Sequence, residues 1–164
     1  MKTKKLTYSA LLTAIGVIAG NFLYIPVGAS KCFPVQSVIN VLGGIILGPT
    51  YGVIIAFGIS LIRNILGTGT LLAFPGSMLG ALLAGLLYKY TKNDLMAVLG
   101  EIVGTGIIGA LVAYPIAALI LGKKVAALFF VIPFSVSAIG GGIIAFIIIK
   151  FFDKTKILRI RDNI

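Results

Sequence analysis

Long apolar runs are the feature that most constrains the fold of this chain. The 164 residues are 59% hydrophobic and only 11% charged, with 21 glycines and no tryptophan, and the mean hydropathy is +1.15. Such values are typical of a helical membrane protein and not of a soluble core. We therefore predict an all-α integral membrane protein in which residues 1–164 form a single transmembrane domain.

Breaks in the apolar runs separate six predicted spans. Pro26 ends the first span, because proline disfavours helix in the residue before it, and Gly48-Pro49 forms a turn between the second and the third. The spans cover about residues 6–24, 34–47, 50–66, 74–90, 95–121 and 126–152. A full crossing needs roughly 20 residues, so the second span is short and we expect it to begin inside a re-entrant or lid-like segment.

Charged residues predict the orientation of these spans. With six spans both termini lie on one side, and that side collects ten of the 14 lysines and arginines. The other side collects Lys31, Arg63, Lys123 and Lys124. The positive-inside bias therefore places both termini in the cytoplasm. The formal net charge is +10, and most of the positive residues lie at helix ends and termini. This distribution reflects the orientation of the spans in the membrane and argues against nucleic-acid binding.

Two polar islands interrupt the apolar sequence. The first covers residues 31–36 and is followed one helical turn later by Asn40, and the second covers residues 63–70 and 74–77. Polar and ionisable groups at bilayer depth usually face a cavity or a partner, and both islands fall on the predicted outer side. We therefore predict that they jointly line one small-molecule pocket. The candidate binding residues are Lys31, Phe33, Gln36, Asn40, Arg63, Asn64, Thr68, Thr70 and Phe74.

Simpler interpretations exist for both islands. Arg63 lies near a helix end, where a long side chain can snorkel to the outer headgroups instead of binding a ligand, and the same two interpretations apply to Lys31. Cys32 fits a small buried hydrophobe as well as a reactive group. Gln36 and Asn40 share one helix face, which either lines the pocket or bonds to neighbouring helices.

Glu101 is the only acid far from a predicted loop, and it falls in the cytoplasmic third of the fifth span. A buried carboxyl group there either has a structural or partner-facing role or carries protons in a self-contained secondary transporter. No second acid and no histidine relay accompany it in the spans. The sequence leaves both roles open.

Small residues four apart mark helix faces that permit close contact. Ala10 and Ala14, in the cytoplasmic half of the first span, form such a face, and we predict that a separate subunit docks there. The glycine pairs at positions 48/52, 76/80 and 100/104 have the same spacing, and internal packing of the bundle explains them better.

The sequence shows no apparatus for catalysis or for driving transport. A phosphate-binding loop needs Gly, four residues and then Gly-Lys-Ser/Thr, whereas the only Gly-Lys pair, Gly122-Lys123, is followed by Lys124. There is no histidine, and a single cysteine precludes an internal disulfide and a zinc site of Cys and His. We expect a binding protein with no enzymatic activity, no metal and no cofactor.

Four segments spread over nearly the whole chain have distinctive sequences, namely residues 25–36, 61–77, 100–106 and 113–115. They resemble the ThiW family, the thiazole-specific substrate-binding (S) components of energy-coupling factor (ECF) vitamin transporters. The resemblance implies a six-helix S-component-like bundle in the cytoplasmic membrane of a prokaryote, with solute bound at the outer side. It also implies two kinds of partner protein, a transmembrane coupling subunit and two ABC-type ATPases.

The ligand implied by the resemblance is the thiamine precursor 4-methyl-5-(2-hydroxyethyl)thiazole or a close relative. Such a ligand needs a mostly apolar pocket, in which Phe33 or Phe74 stacks on the ring and Asn, Gln, Arg or Thr side chains bind the hydroxyl group and the ring nitrogen. Three alternatives remain: an S component for another small vitamin-like solute, a proton-coupled secondary transporter that uses Glu101, and a membrane scaffold whose islands contact partner proteins.

Overall fold

The computed structural model describes residues 2–27, 30–122 and 126–154, which form six helices and a short β-hairpin. The helices are α1 (Lys2–Phe22), α2 (Pro34–Leu47), α3 (Pro49–Ile65), α4 (Ala73–Thr91), α5 (Asp94–Ile120) and α6 (Val131–Lys154). The hairpin consists of β1 (Ile25–Val27) and β2 (Ser30–Cys32). The predicted all-α class is confirmed, and the boundaries predicted for the second to the fifth helix match those of α2 to α5 to within one residue.

Two of these helices have the properties of membrane spans within the described part of the chain. By length and composition, α5 and α6 are each able to cross a bilayer, whereas α2 and α3 are shorter apolar helices. The predicted number of crossings and the predicted cytoplasmic placement of both termini stay predictions.

Proline and glycine explain why α2 and α3 form where they do. Each helix begins with a proline, Pro34 and Pro49. Proline fits the first helical position because its fixed φ is already helical and its missing N–H has no helical partner there. Gly48 between them has a φ of 91°, in the left-handed region that favours glycine. The predicted turn is therefore present.

Helix α5 changes its winding along its length. It is α-helical over Asp94–Glu101, π-helical over Ile102–Gly109, α-helical over Ala110–Pro115 and π-helical over Ile116–Ile120. Its first turn is capped by Asn93, whose side chain accepts a hydrogen bond from the Leu95 N–H at 2.9 Å. An ion pair of 2.8 Å between Lys150 and Asp94 attaches this end of α5 to α6.

Glycines allow α4 and α5 to pack backbone to backbone. A Cβ atom on Gly104 would lie 2.7 Å from the Cα of Gly80, and one on Gly100 would lie 2.7 Å from the carbonyl group of Leu83. Both distances are too short for a methyl group, so this crossing depends on residues without side chains. The prediction of internal packing is confirmed for these three glycines.

The β-hairpin precedes α2, at the start of the second predicted span, and the re-entrant or lid-like character expected there stays a prediction. Its strands pair antiparallel, with Ile25 opposite Cys32 and Val27 opposite Ser30. Two hydrogen bonds attach the end of the hairpin to α6: the Cys32 thiol donates to the Pro133 carbonyl at 3.0 Å, and the Phe33 N–H donates to Ser137 Oγ at 3.1 Å. Strands this short inside an apolar sequence give no alternating pattern from which to predict them.

Helix α1 lies at the edge of the bundle and packs on α2 and α3. Gly16 faces inward, where a Cβ would meet the Ile59 side chain. Ala10 and Ala14 instead lie on the exposed face of α1, among apolar side chains such as Leu11. They are therefore not part of the internal packing, and their docking role stays a prediction.

Candidate functional site

A cavity of about 470 Å³ lies where the first turns of α2, α4 and α6 meet the end of α3 and the middle of α5. It brings the two polar islands together, as the sequence predicts. Its lining residues are Cys32, Phe33, Gln36, Ser37, Asn40, Arg63, Gly67, Thr68, Gly69, Thr70, Leu72, Ala73, Gly76, Ser77, Thr105, Phe129, Phe130, Pro133, Phe134 and Ser137.

Arg63 forms the charged wall of this cavity. Its side chain is 1% exposed, with Nη1 donating to Gln36 Oε1 at 3.0 Å and Nη2 donating to the Thr68 carbonyl at 3.3 Å. Its Cζ lies 3.9 Å from the centre of the Phe33 ring, a distance at which an aromatic face attracts a cation. The snorkelling interpretation is therefore wrong for Arg63, because its guanidinium group is held inside the bundle by neutral partners.

The loop after α3 folds back over Arg63. The N–H groups of Thr68 and Gly69 both donate to the Arg63 carbonyl at 2.9 Å. Asn64 Nδ2 donates to the Ser60 carbonyl at 2.8 Å and to the Thr70 carbonyl at 3.1 Å. Asn64 therefore shapes the loop from behind and is not among the described residues that line the cavity.

A chain of hydrogen bonds joins three helices below Arg63. Gln36 Nε2 donates to Ser60 Oγ at 3.0 Å, and the Ser60 and Ser77 hydroxyl groups are 3.0 Å apart. Since Gln36 also accepts from Arg63, its amide is bonded on both sides, and α2 is linked to α3 and α4. Gln36 both lines the cavity and bonds to neighbouring helices, so the geometry does not decide between the two interpretations, and its binding role stays a prediction.

A second polar cluster lies one turn further along α2. Asn40 Nδ2 donates to Glu101 Oε1 at 3.1 Å, and the Thr105 hydroxyl lies 2.8 Å from the same oxygen and 3.0 Å from the Gly76 carbonyl. Asn40 and Thr105 line the cavity, whereas Glu101 lies behind them and is fully buried. The carboxyl group thus orients two lining residues, which is a structural role in the sense predicted. The geometry does not test a proton-carrying role.

Aromatic rings form the apolar side of the cavity. Phe33 belongs to the first island, and Phe129, Phe130 and Phe134 come from the start of α6 and the turn before it. The rings of Phe129 and Phe130 meet edge to face with centres 5.2 Å apart. Phe74 does not contribute, because its ring packs against Phe57 at 5.6 Å and is outside the lining.

Cys32 fits the buried-hydrophobe interpretation better than the reactive one. It is 1% exposed at the edge of the cavity, and its thiol donates to a carbonyl of α6. Burial raises the pKa of the Cys32 thiol above its usual value, which disfavours the nucleophilic thiolate.

Six of the nine predicted binding residues line the cavity. Asn64 and Phe74 lie outside it, and the side chain of Lys31 lies outside the described part of the structure. The six that line it are Phe33, Gln36, Asn40, Arg63, Thr68 and Thr70.

The contribution of α6 and of the turn before it, through Phe130, Phe134 and Ser137, is not apparent from the sequence. These residues begin an apolar span and contrast little with their surroundings. Within residues 2–27, 30–122 and 126–154, no three His, Cys, Asp or Glu side chains lie close enough together to hold a metal ion.

A second cavity, of about 480 Å³, lies at the opposite ends of α2 and α4. It is lined largely by the turn at Gly48-Pro49 and by Tyr88, Lys89 and Lys92. It does not include either polar island. The first cavity is therefore the candidate site.

An apolar helical bundle with a small cavity of polar, charged and aromatic walls is typical of a membrane protein that binds or transports a small solute. The sequence profile of the ThiW family, described as thiamine-precursor transporter protein, matches residues 6–155. The chain therefore belongs to the ThiW family. It is a transporter of a thiamine precursor and not an enzyme. No curated protein and no solved structure matches the chain.

Proposed function

We propose that this chain is the substrate-binding S component of an ECF-type importer and that its ligand is 4-methyl-5-(2-hydroxyethyl)thiazole or a close relative. The cavity beside Arg63 is the proposed binding site. Its volume of about 470 Å³ falls within the range of small-molecule pockets, roughly 300–1,000 Å³.

The observation that carries this proposal is the combination of groups on the cavity wall. Phenylalanine rings such as Phe33 and Phe130 offer faces and edges for a flat heteroaromatic ring. Arg63, Gln36 and Asn40 offer donors and acceptors for a ring nitrogen and a hydroxyl group. Arg63 is bonded to neutral acceptors, so it remains able to donate to a further polar atom.

The proposed partners supply what this chain lacks. Its sequence has no nucleotide-binding loop, so the energy for import would come from two ABC-type ATPases through a transmembrane coupling subunit. The exposed small face of α1 at Ala10 and Ala14 is the proposed contact. Small side chains there would let a partner helix approach closely.

Ligand binding tests the proposal on the isolated protein. Titration of the thiazole alcohol into purified protein should raise the unfolding temperature, since a ligand at 100 times its Kd stabilises the folded state by about 2.7 kcal/mol. Thiamine and its pyrimidine precursor are the matched controls. If a control compound raises the unfolding temperature and the thiazole alcohol does not, the proposed ligand is wrong and the control compound is the better candidate.

A secondary transporter is the second candidate, and Glu101 is the observation that favours it. This buried carboxyl group is hydrogen-bonded to Asn40, which lines the cavity, so a proton there would be close to the ligand. The discriminating measurement is uptake into vesicles that contain only this protein. Accumulation driven by a proton gradient, and lost in Glu101→Gln, would favour this candidate over the S component.

A further inference from the structure

The second cavity, at the Gly48-Pro49 turn, has no part in the proposed thiazole site. Its volume is about 480 Å³, and it lies where the end of α2, the start of α3 and the end of α4 meet. A Cβ atom on Gly85 would lie 2.6 Å from the Pro49 Cα, so α4 packs directly on the backbone of the turn. The residues that line the cavity are Gly44, Ile45, Gly48, Pro49, Thr50, Gly85, Tyr88, Lys89 and Lys92.

The lining of this cavity is positively charged. Among the described residues that form it, the only charged ones are Lys89, in the last turn of α4, and Lys92, which follows that helix. Asp94 is the acid nearest to them in the sequence, and it forms an ion pair of 2.8 Å with Lys150. A cleft lined by one sign of charge concentrates ions of the opposite sign. The second cavity therefore favours an anion.

The first turn of α3 adds hydrogen-bond donors to the two lysines. The Gly52 N–H donates to the Gly48 carbonyl at 3.0 Å, and Pro49 has no N–H, so the N–H groups of Thr50 and Tyr51 have no acceptor within the helix. Thr50 lines the cavity and also carries a hydroxyl group. Lysines, hydroxyl groups and free backbone N–H groups together are the donors with which proteins bind phosphate.

An exposed apolar stripe leads away from the cavity along α3. Ile54, Phe57 and Leu61 follow Thr50 at intervals of four, three and four residues, so all four side chains lie on one face of the helix. The three apolar side chains are 54%, 44% and 40% exposed. A lipid whose phosphate group sits in the cavity could lay its acyl chains along this stripe, whereas a free phosphate ion would leave the stripe uncovered.

We propose that the second cavity binds the phosphate group of an anionic phospholipid, with Lys89 and Lys92 contacting the phosphate and the acyl chains lying on the α3 stripe. The sequence predicts that this end of the bundle is cytoplasmic, and basic pockets between helices on that side of a membrane suit anionic headgroups. This inference goes beyond the proposed function and does not depend on the thiazole ligand.

Native mass spectrometry of the detergent-purified protein tests the proposal with three probes. Phosphatidylglycerol has a net negative charge and acyl chains, phosphatidylcholine with the same chains has no net charge, and glycerol 3-phosphate has no chains. We expect phosphatidylglycerol to bind at least ~5-fold more tightly than either of the other probes, because one lysine near a membrane surface contributes about that factor.

Two lysine variants locate the binding site. Lys89→Gln and Lys92→Asn should each weaken the binding of phosphatidylglycerol by about 5-fold, and the double variant by about 25-fold. Asparagine is used at position 92 because Lys92 has a φ of 55°, and asparagine tolerates this left-handed conformation. Lys4→Gln is the matched control, since Lys4 is an exposed lysine of α1 outside the lining. It should leave the affinity unchanged.

A change at Thr50 separates a lost binding site from a folding defect. Lysines near the end of α4 also favour that helix, and their removal could lower stability. Thr50→Glu has the opposite effect on stability, because a carboxylate in the first turn of a helix is favourable. Its charge should nevertheless repel the phosphate and abolish the binding of phosphatidylglycerol. Thr50→Gln has the same length without the charge and should still bind this lipid.

Four results would overturn the inference. Equal binding of phosphatidylglycerol and phosphatidylcholine, or unchanged binding in the double lysine variant, would show that the lysines do not recognise the headgroup. An equal loss in Lys4→Gln would reduce the effect to general surface charge. Glycerol 3-phosphate binding as tightly as phosphatidylglycerol would make a free phosphate compound the ligand instead of a lipid. Failure of the proposed function is distinguishable, because no thiazole is used in these measurements.

Discussion

The crossing of α4 and α5 allows the effect of a single methyl group to be predicted. Gly104→Ala would place a Cβ atom 2.7 Å from the Gly80 Cα and 2.7 Å from the Leu79 carbonyl oxygen. Ordinary carbon contacts are 3.5–4.0 Å, so the two helices must separate by most of an ångström at this point. Both obstacles are backbone atoms, which cannot rotate away as a side chain would.

We expect Gly104→Ala to destabilise the protein by about 1–3 kcal/mol, the usual cost of overpacking a well-packed core. For a chain of this size that corresponds to a fall in the unfolding temperature of about 2–4 °C per kcal/mol. Ligand affinity should fall as well, because Thr105 is the next residue and lines the cavity. Both effects are measured on detergent-purified protein, by thermal unfolding and by titration of the thiazole alcohol.

Gly140→Ala on α6 is the matched control. A Cβ atom there meets only the Pro34 Cβ, at 4.0 Å, so the methyl group fits. Replacing a helical glycine by alanine where space allows should be neutral or stabilising by up to about 1 kcal/mol. If Gly104→Ala proves as stable as Gly140→Ala, the close approach of α4 and α5 is wrong.

Three further predictions concern the cavity and its surroundings. Gln36→Ala should weaken binding of the thiazole alcohol by about 2–12-fold, which corresponds to a loss of roughly 0.5–1.5 kcal/mol in binding free energy. Calorimetry should show a smaller effect for Asn64→Ala, because Asn64 acts only through the loop, and equal effects would place Asn64 in the site. The combined change Ala10→Trp and Ala14→Trp should abolish transport and co-purification of the coupling subunit while ligand binding survives, and normal transport would exclude docking at this face. Cys32 should react slowly with maleimide at neutral pH, because its raised pKa keeps the thiol protonated. The labelling rate should rise with pH and fall when ligand fills the cavity. A labelling rate equal to that of the unfolded protein would contradict the burial of Cys32.

Contrast within the sequence explains which parts of the fold and the site were predictable. Pro34, Pro49 and Gly48 interrupt apolar runs and act through backbone geometry, so the boundaries of α2 and α3 follow from the residues themselves. The polar islands were visible for the same reason, because Arg63 and Gln36 differ sharply from their neighbours.

The features that were missed depend on packing. Phe130 and Phe134 belong to an apolar span, and their position on the cavity wall is set by contacts between helices distant in the sequence. The prediction that Phe74 and Asn64 line the pocket rests only on their nearness to other island residues in the sequence. Adjacent helical residues differ by about 100° in direction, so Asn64 points away from the cavity although its neighbour Arg63 lines it.

Helix α1 connects the exposed alanine face to the back of the cavity. It runs without interruption from Lys2 to Phe22. Near its end, Gly20 lies against the Arg63 guanidinium group, and the Thr68 hydroxyl donates to Asn21 at 2.7 Å. An unbroken helix moves as a rod, and Asn21 is only seven residues from Ala14, about 10 Å along the axis. If the proposed coupling subunit docks at the alanine face, a tilt of α1 would act first on the loop beside the cavity, and release of the ligand and engagement of the partner would become one movement.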